Sequence, residues 1–136
     1  MSEKRVSGAV KESFDSFLGV VRTTPDFGRI RFIILYGSVA EGTNYPDSDI
    51  DIAISSDLES LSAEKLRLFI LGRVSDLYDV HIFEHLPLYI QIPVLKGIVL
   101  YVRDEDELYD IAYRTIQEYG FYKPHLDDYI GEGALE

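Results

Sequence analysis

The stretch that decides the fold is Leu35-Tyr36-Gly37-Ser38-Val39-Ala40-Glu41-Gly42-Thr43-Asn44-Tyr45-Pro46-Asp47-Ser48-Asp49-Ile50-Asp51-Ile52-Ala53-Ile54. It opens at the end of an apolar run, Arg29 to Tyr36, in which Ile30, Phe32, Ile33, Ile34 and Leu35 leave little room for a polar face. Such a run reads as a buried strand. Gly37 ends it, and Ser38 to Ser48 is small and polar, with Gly42, Asn44 and Pro46 as turn formers. From Asp49 the chain alternates strictly between polar or small and branched apolar residues, which is the period of a strand. Asp49 and Asp51 then share one face while Ile50, Ile52 and Ile54 point into the core.

Working outward, Val6, Val10, Phe14, Phe17, Leu18 and Val21 recur at helical spacing, which predicts a helix over about 6–22, stopped at Thr23-Thr24-Pro25. Beyond the alternating strand, Ser62 reads as the N-cap of a helix whose buried stripe is Leu66, Phe69, Ile70, Val74 and Leu77. Tyr78 to Phe83 is a third strand. Pro87 to Lys96 reads as a short helix closed by Gly97, and Ile98 to Val102 as a fourth strand. Asp104 and Glu107 form a capping box for a last helix, over about 104–130, that carries Leu108, Ile111, Ala112, Ile116 and Tyr119. The expectation is one α/β (α+β) domain over 1–136, a small mixed sheet of about four strands with helices packed on it. Its length and its 46% hydrophobic content suit a single core.

Asp and Glu outnumber Lys and Arg by 24 to 13, for a formal charge of −11. Nucleic-acid grip relies on clustered Lys and Arg, so strong nucleic-acid binding is not expected; a cation or a basic protein partner is compatible. The absence of cysteine excludes disulfides, zinc thiolates and thiol nucleophiles. His81 and His85 flank a strand end without the spacing of a zinc site. No apolar run is long enough to cross a bilayer, and Met1 to Arg5 leads into an amphipathic stretch unlike a signal peptide, so a cytoplasmic location is expected.

The chemistry lies in two features on consecutive strands. A glycine where a buried strand turns lets a phosphate approach the backbone, and Ser38 adds a hydroxyl donor; a short helix starting there would add free N–H groups. Two carboxylates on one face of a strand repel each other unless a cation sits between them, and hard oxygen donors select Mg²⁺ or Mn²⁺. Gly37-Ser38, ten residues, then Asp49-x-Asp51 resembles the signature of the DNA polymerase β-like nucleotidyltransferase superfamily, and the surrounding residues resemble its minimal (MNT) branch, small proteins commonly paired with HEPN-domain partners.

That resemblance implies a nucleotidyltransferase in which Asp49 and Asp51 hold two Mg²⁺ ions over the phosphates of ATP. Gly37 and Ser38 would cradle the outgoing pyrophosphate. The third family carboxylate is matched by Asp79, since Val80 and Ile82 face the core and Asp79 the opposite side; Asp76 is the rival at a helix end, and Asp47 is a loop residue after Pro46. Relatives carry basic residues in the Gly-Ser-x-x-x-Gly segment, where this chain has Val39 and Glu41, which leaves Lys96, Arg114, Lys123 or His125 to hold the triphosphate. The acceptor implied is a tyrosine of a HEPN toxin, with the chain acting as antitoxin. A non-catalytic antitoxin and a small-molecule (aminoglycoside-type) enzyme are the alternatives. Tyrosines gathered toward the C-terminus, among them Tyr109, Tyr113, Tyr119, Tyr122 and Tyr129, suit packing, a partner contact or a homodimer.

Overall fold

The computed structural model describes residues 14–42 and 49–130, the last ten of these as helix backbone alone. Five helices and four strands follow in the order α1 (Asp15–Arg22), β1 (Ile30–Tyr36), α2 (Ser38–Glu41), β2 (Ile50–Ser56), α3 (Ser60–Leu71), β3 (Tyr78–Ile82), α4 (Leu88–Leu95), β4 (Ile98–Val102) and α5 (Glu105–Ile130). Short 3₁₀ turns lie at Phe27–Arg29 and Phe83–His85. The strands form one mixed sheet in the order β3-β2-β1-β4. β1 runs antiparallel to β2 and β4, whereas β2 and β3 are parallel and joined by the crossover helix α3.

Both faces of the sheet are covered, which is why β1 reads as almost unbroken apolar sequence. On one face Ile33, Leu35, Ile52, Ile54, Val80 and Ile82 meet Phe17, Leu18 and Val21 of α1 and Ala63, Leu66 and Ile70 of α3. Full burial of each such large side chain contributes about 2 kcal/mol. On the other face Phe32, Ile34, Ala53, Phe83 and Val94 form a smaller cluster, flanked by Ile90 and Leu95 of α4 and Leu108 and Ile111 of α5. Phe17 stacks on Tyr78 with centroids 4.6 Å apart, tying α1 to the start of β3.

Several local expectations shift. Val6 and Val10 lie outside the described residues, but Phe14, Phe17, Leu18 and Val21 are buried as the periodicity requires. Helix α3 begins at Ser60 with Glu59 at its N-cap, so Ser62 sits inside the first turn. Its buried residues are Ala63, Leu66 and Ile70; Leu77, beyond its end, is exposed. Asp104 caps α5 through Oδ1, which accepts the Asp106 N–H at 3.0 Å. The reciprocal half of the capping box is diverted, because Glu107 binds Arg103 and Arg31 arriving from β4 and β1.

A bulge between Ile30 and Phe32 sends Arg31 toward Glu84, which Nη1 reaches at 3.2 Å, and toward the Ser56 carbonyl. The same Glu84 accepts hydrogen bonds from the Ser55 hydroxyl and the Ser56 N–H. Buried Ser55 is thereby satisfied, and the C-terminal end of β2 is locked to the turn after β3. This lock stands at the opposite end of the strands from Tyr36, Asp51 and Asp79.

Candidate active site

The site is assembled by strand register. Tyr36 of β1 faces Asp51 of β2 across the antiparallel ladder, and Asp51 faces Asp79 of β3 across the parallel one. Side chains at matched positions share a face, so Tyr36, Asp51 and Asp79 form a row across three strands. Ala53 and His81 make the next row. His81 Nε2 lies 3.1 Å from Asp79 Oδ2 at a half-exposed position. Asp49 immediately precedes β2 instead of lying within it, yet its charge is felt by Asp51.

Burial raises the pKa of Asp51 above the ordinary carboxylate value, and the charges of Asp79 and Asp49 raise it further, against a lowering contribution from His81. The Tyr36 phenol is pushed up to about 12, first by burial and then by the charges of Asp51 and Asp79. Tyr36 therefore stays protonated throughout the neutral range.

Gly37 holds φ 80° and ψ −159°, a conformation open in practice to glycine alone. A Cβ there would also overlap the Asp51 carboxylate. The glycine expected to admit a phosphate is thus needed first to admit Asp51. Ser38 opens α2, a single turn whose Glu41 N–H bonds the Gly37 carbonyl at 3.1 Å and which ends at Gly42 in the left-handed region. Val39 and Ala40 pack against the main core, which explains why the segment carries apolar residues where the family resemblance implies a cation; Glu41 is exposed.

Among the other expected residues, Asp47 lies outside the described residues, as do the side chains of Lys123 and His125. Asp76 precedes β3 and has no register partner in the sheet. Lys96 follows α4 directly, and its neighbour Gly97 abuts the Leu35 carbonyl, so it stands at the same end of the sheet as Gly37. Arg114 is placed elsewhere. It lines an open cleft of about 550 Å³ with Arg31, Glu84 and Gln91, at the far end of the strands.

Among the described residues no three His, Asp or Glu side chains form a preformed metal cage. The donor set nevertheless suits a hard divalent cation. It consists of carboxylate oxygens, and the mutual repulsion that raises Asp51 is the charge such an ion would relieve. Sequence reasoning missed Tyr36, whose only signal was its place just before Gly37.

A family model described as polymerase beta, nucleotidyltransferase matches residues 20–106. A protein of Methanocaldococcus jannaschii with the provisional designation protein adenylyltransferase is 38% identical over 82 residues, covering 60% of this chain and 63% of the relative. Among solved structures, a toxin–antitoxin complex with AMP-PNP is similar with a TM-score of 0.64 at 21% identity, over 85% of this chain and 97% of that one. A complex of a tri-AMPylated Shewanella oneidensis HEPN toxin with its MNT antitoxin gives a TM-score of 0.56 at 18% identity, over 88% and 95% of the two chains. These structural likenesses establish a shared fold.

Proposed function

The chain belongs to the polymerase beta nucleotidyltransferase family, and from that premise we propose that it transfers AMP from ATP to a tyrosine hydroxyl of a HEPN-domain toxin, acting in the cytoplasm as its antitoxin. The observation that carries the reading is the row Tyr36–Asp51–Asp79 beside Gly37 and Ser38, at one end of the sheet. A protein acceptor and a HEPN-domain partner are supported by the relative's designation and by the HEPN toxin complex of the same fold, and tyrosine as the residue modified comes from the family resemblance alone.

In the reaction the acceptor hydroxyl releases its proton to solvent as its oxygen attacks the α-phosphorus, the bond to the bridging oxygen breaks, and pyrophosphate leaves. Asp49, Asp51 and Asp79 are the residues that would hold Mg²⁺, two ions by family resemblance, with Mn²⁺ as a substitute. Bound there, the metal would neutralise the triphosphate and lower the pKa of the acceptor hydroxyl. Asp79 lies on an edge strand of the sheet, and His81 at 3.1 Å can hold its carboxylate in place. Gly37 leaves room for the Asp51 carboxylate, and the Ser38 hydroxyl donates to the departing pyrophosphate. Protonated Tyr36 adds no negative charge to a site already rich in it. The remaining requirement is in-line positioning of acceptor and phosphate.

The test is incubation of the full chain with ATP, Mg²⁺ and the product of the adjacent gene, the candidate HEPN-domain partner, followed by intact-mass measurement of that product. The expected result is one or more additions of an adenylyl group on tyrosine, absent with Asp51→Asn. An unchanged mass alongside tight binding would replace transfer with neutralisation by occupancy.

A further inference from the structure

Up to Gly120, helix α5 has two apolar faces, and among the described residues the fold uses one. Leu108, Ile111 and Thr115 turn inward onto α4 and the sheet. Tyr109, Tyr113 and Ile116, at spacings of four and three, line the opposite side, with relative exposures of 54%, 62% and 57%. Gly120 continues this stripe with open space where a side chain would be, so another backbone could approach closely. Three large apolar side chains in a row on one helix form the kind of patch that marks an interaction surface. Tyrosine in such a patch offers large contact area at low entropic cost.

Charge selects the occupant. Asp106 and Asp110 border the stripe, on a chain of formal charge −11. Tyr113 and Gln117 are mutually ordered, with Gln117 Nε2 donating to the Tyr113 hydroxyl at 3.1 Å. A second copy of the chain would bring −11 against −11 and set this acidic border against its own image. We propose that the outer face of α5 docks a basic protein partner, one presenting an apolar ridge between Lys and Arg side chains. Ile111, Arg114 and Thr115 of the same helix line the cleft with Arg31 and Glu84, at the end of the strands away from the carboxylates. Docking there anchors the partner without blocking the site. The proposal rests on the reading of a HEPN-domain protein as acceptor and adds the surface that holds it.

The experiment measures binding of the full chain to the product of the adjacent gene, the candidate HEPN-domain partner, by calorimetry. Tyr113→Ala combined with Ile116→Ala is expected to weaken binding by at least about tenfold. Leu61→Ala with Leu68→Ala, at other exposed apolar positions, should leave it unchanged. Affinity should fall as NaCl rises, and Asp106→Asn with Asp110→Asn should flatten that dependence. Wild-type affinity in the stripe variant would overturn the surface. No binding by the wild-type chain, or self-association relieved by the stripe variant, would overturn the partner. Intact binding with no AMP transfer would instead overturn the transferase reading and leave the surface standing.

Discussion

The Asp51 carboxylate occupies the volume that a Cβ on Gly37 would need. Gly37 is therefore fixed twice, by its own φ of 80° and ψ of −159° and by a side chain fourteen residues later on the neighbouring strand. Gly37→Ala is expected to cost about 1–3 kcal/mol of stability from backbone strain alone. Displacing Asp51 by even about 1 Å should lower nucleotide transfer by roughly 100-fold. Chemical unfolding and steady-state rates on the same preparation check both, and a variant with normal activity would separate Gly37 from the positioning of Asp51.

Asp51 has its pKa raised by burial and by Asp79 and Asp49, so the native state holds its proton more tightly than the unfolded chain does. The sign follows: in metal-free protein its stabilising contribution is complete below the unfolded carboxylate pKa and is lost as pH rises through the raised folded value. Asp51→Asn should raise Tm at neutral pH while transfer falls by more than about 100-fold. In the wild type Mg²⁺ should raise Tm, and that gain should vanish in the variant. Calorimetric scans at acid and neutral pH, with and without Mg²⁺, decide the point.

Register distinguishes the two candidates for a third carboxylate. Asp79 pairs with Asp51, whereas Asp76 precedes the strand. Asp79→Asn is expected to abolish transfer and Asp76→Asn to retain it within about twofold, since surface substitutions away from packed features are nearly neutral. Equal losses in both, measured as kcat/KM for ATP, would refute the assignment.

Lys96 stands at the carboxylate end of the sheet and Arg114 at the other. Lys96→Gln should raise KM for ATP about three- to tenfold through loss of an exposed cation near the triphosphate. Arg114→Gln should leave KM unchanged. Initial rates across ATP concentrations compare them directly.

Gly97 is held by contact instead of by φ: a Cβ would lie 2.8 Å from Ile34 Cγ2 and 3.1 Å from the Val94 carbonyl. Gly97→Ala should destabilise by about 1–3 kcal/mol as an overpacked core does, read as a lower denaturant midpoint at unchanged slope.

Much of this architecture was legible because strand period is local. Alternation from Asp49 to Ile54 and from Tyr78 to Phe83 gave Asp51 and Asp79 their shared face without knowledge of the sheet order. What escaped depended on distant neighbours. The clash that forbids a side chain at Gly37 comes from β2, and Tyr36 joins the acidic row only because β1 pairs with β2 at that register. Glu107 looked like half of a capping box until Arg31 and Arg103 claimed it. Val39 sits where the resemblance implies a triphosphate-binding cation because the single turn of α2 is pinned to the core. The outward stripe of Tyr109, Tyr113 and Ile116 could not be told from buried residues by spacing, since both faces of α5 carry apolar side chains.

The central claim is that the carboxylate row moves an adenylyl group, and the position of the label in ATP tests it most directly. With Mg²⁺ and the product of the adjacent gene, the proposed HEPN-domain partner, ATP labelled at the α-phosphate should label that product, and ATP labelled at the γ-phosphate should yield labelled pyrophosphate only. Asp51→Asn and Asp79→Asn should give neither. Label carried over from the γ-phosphate, or full α-label transfer by Asp51→Asn, would contradict the account.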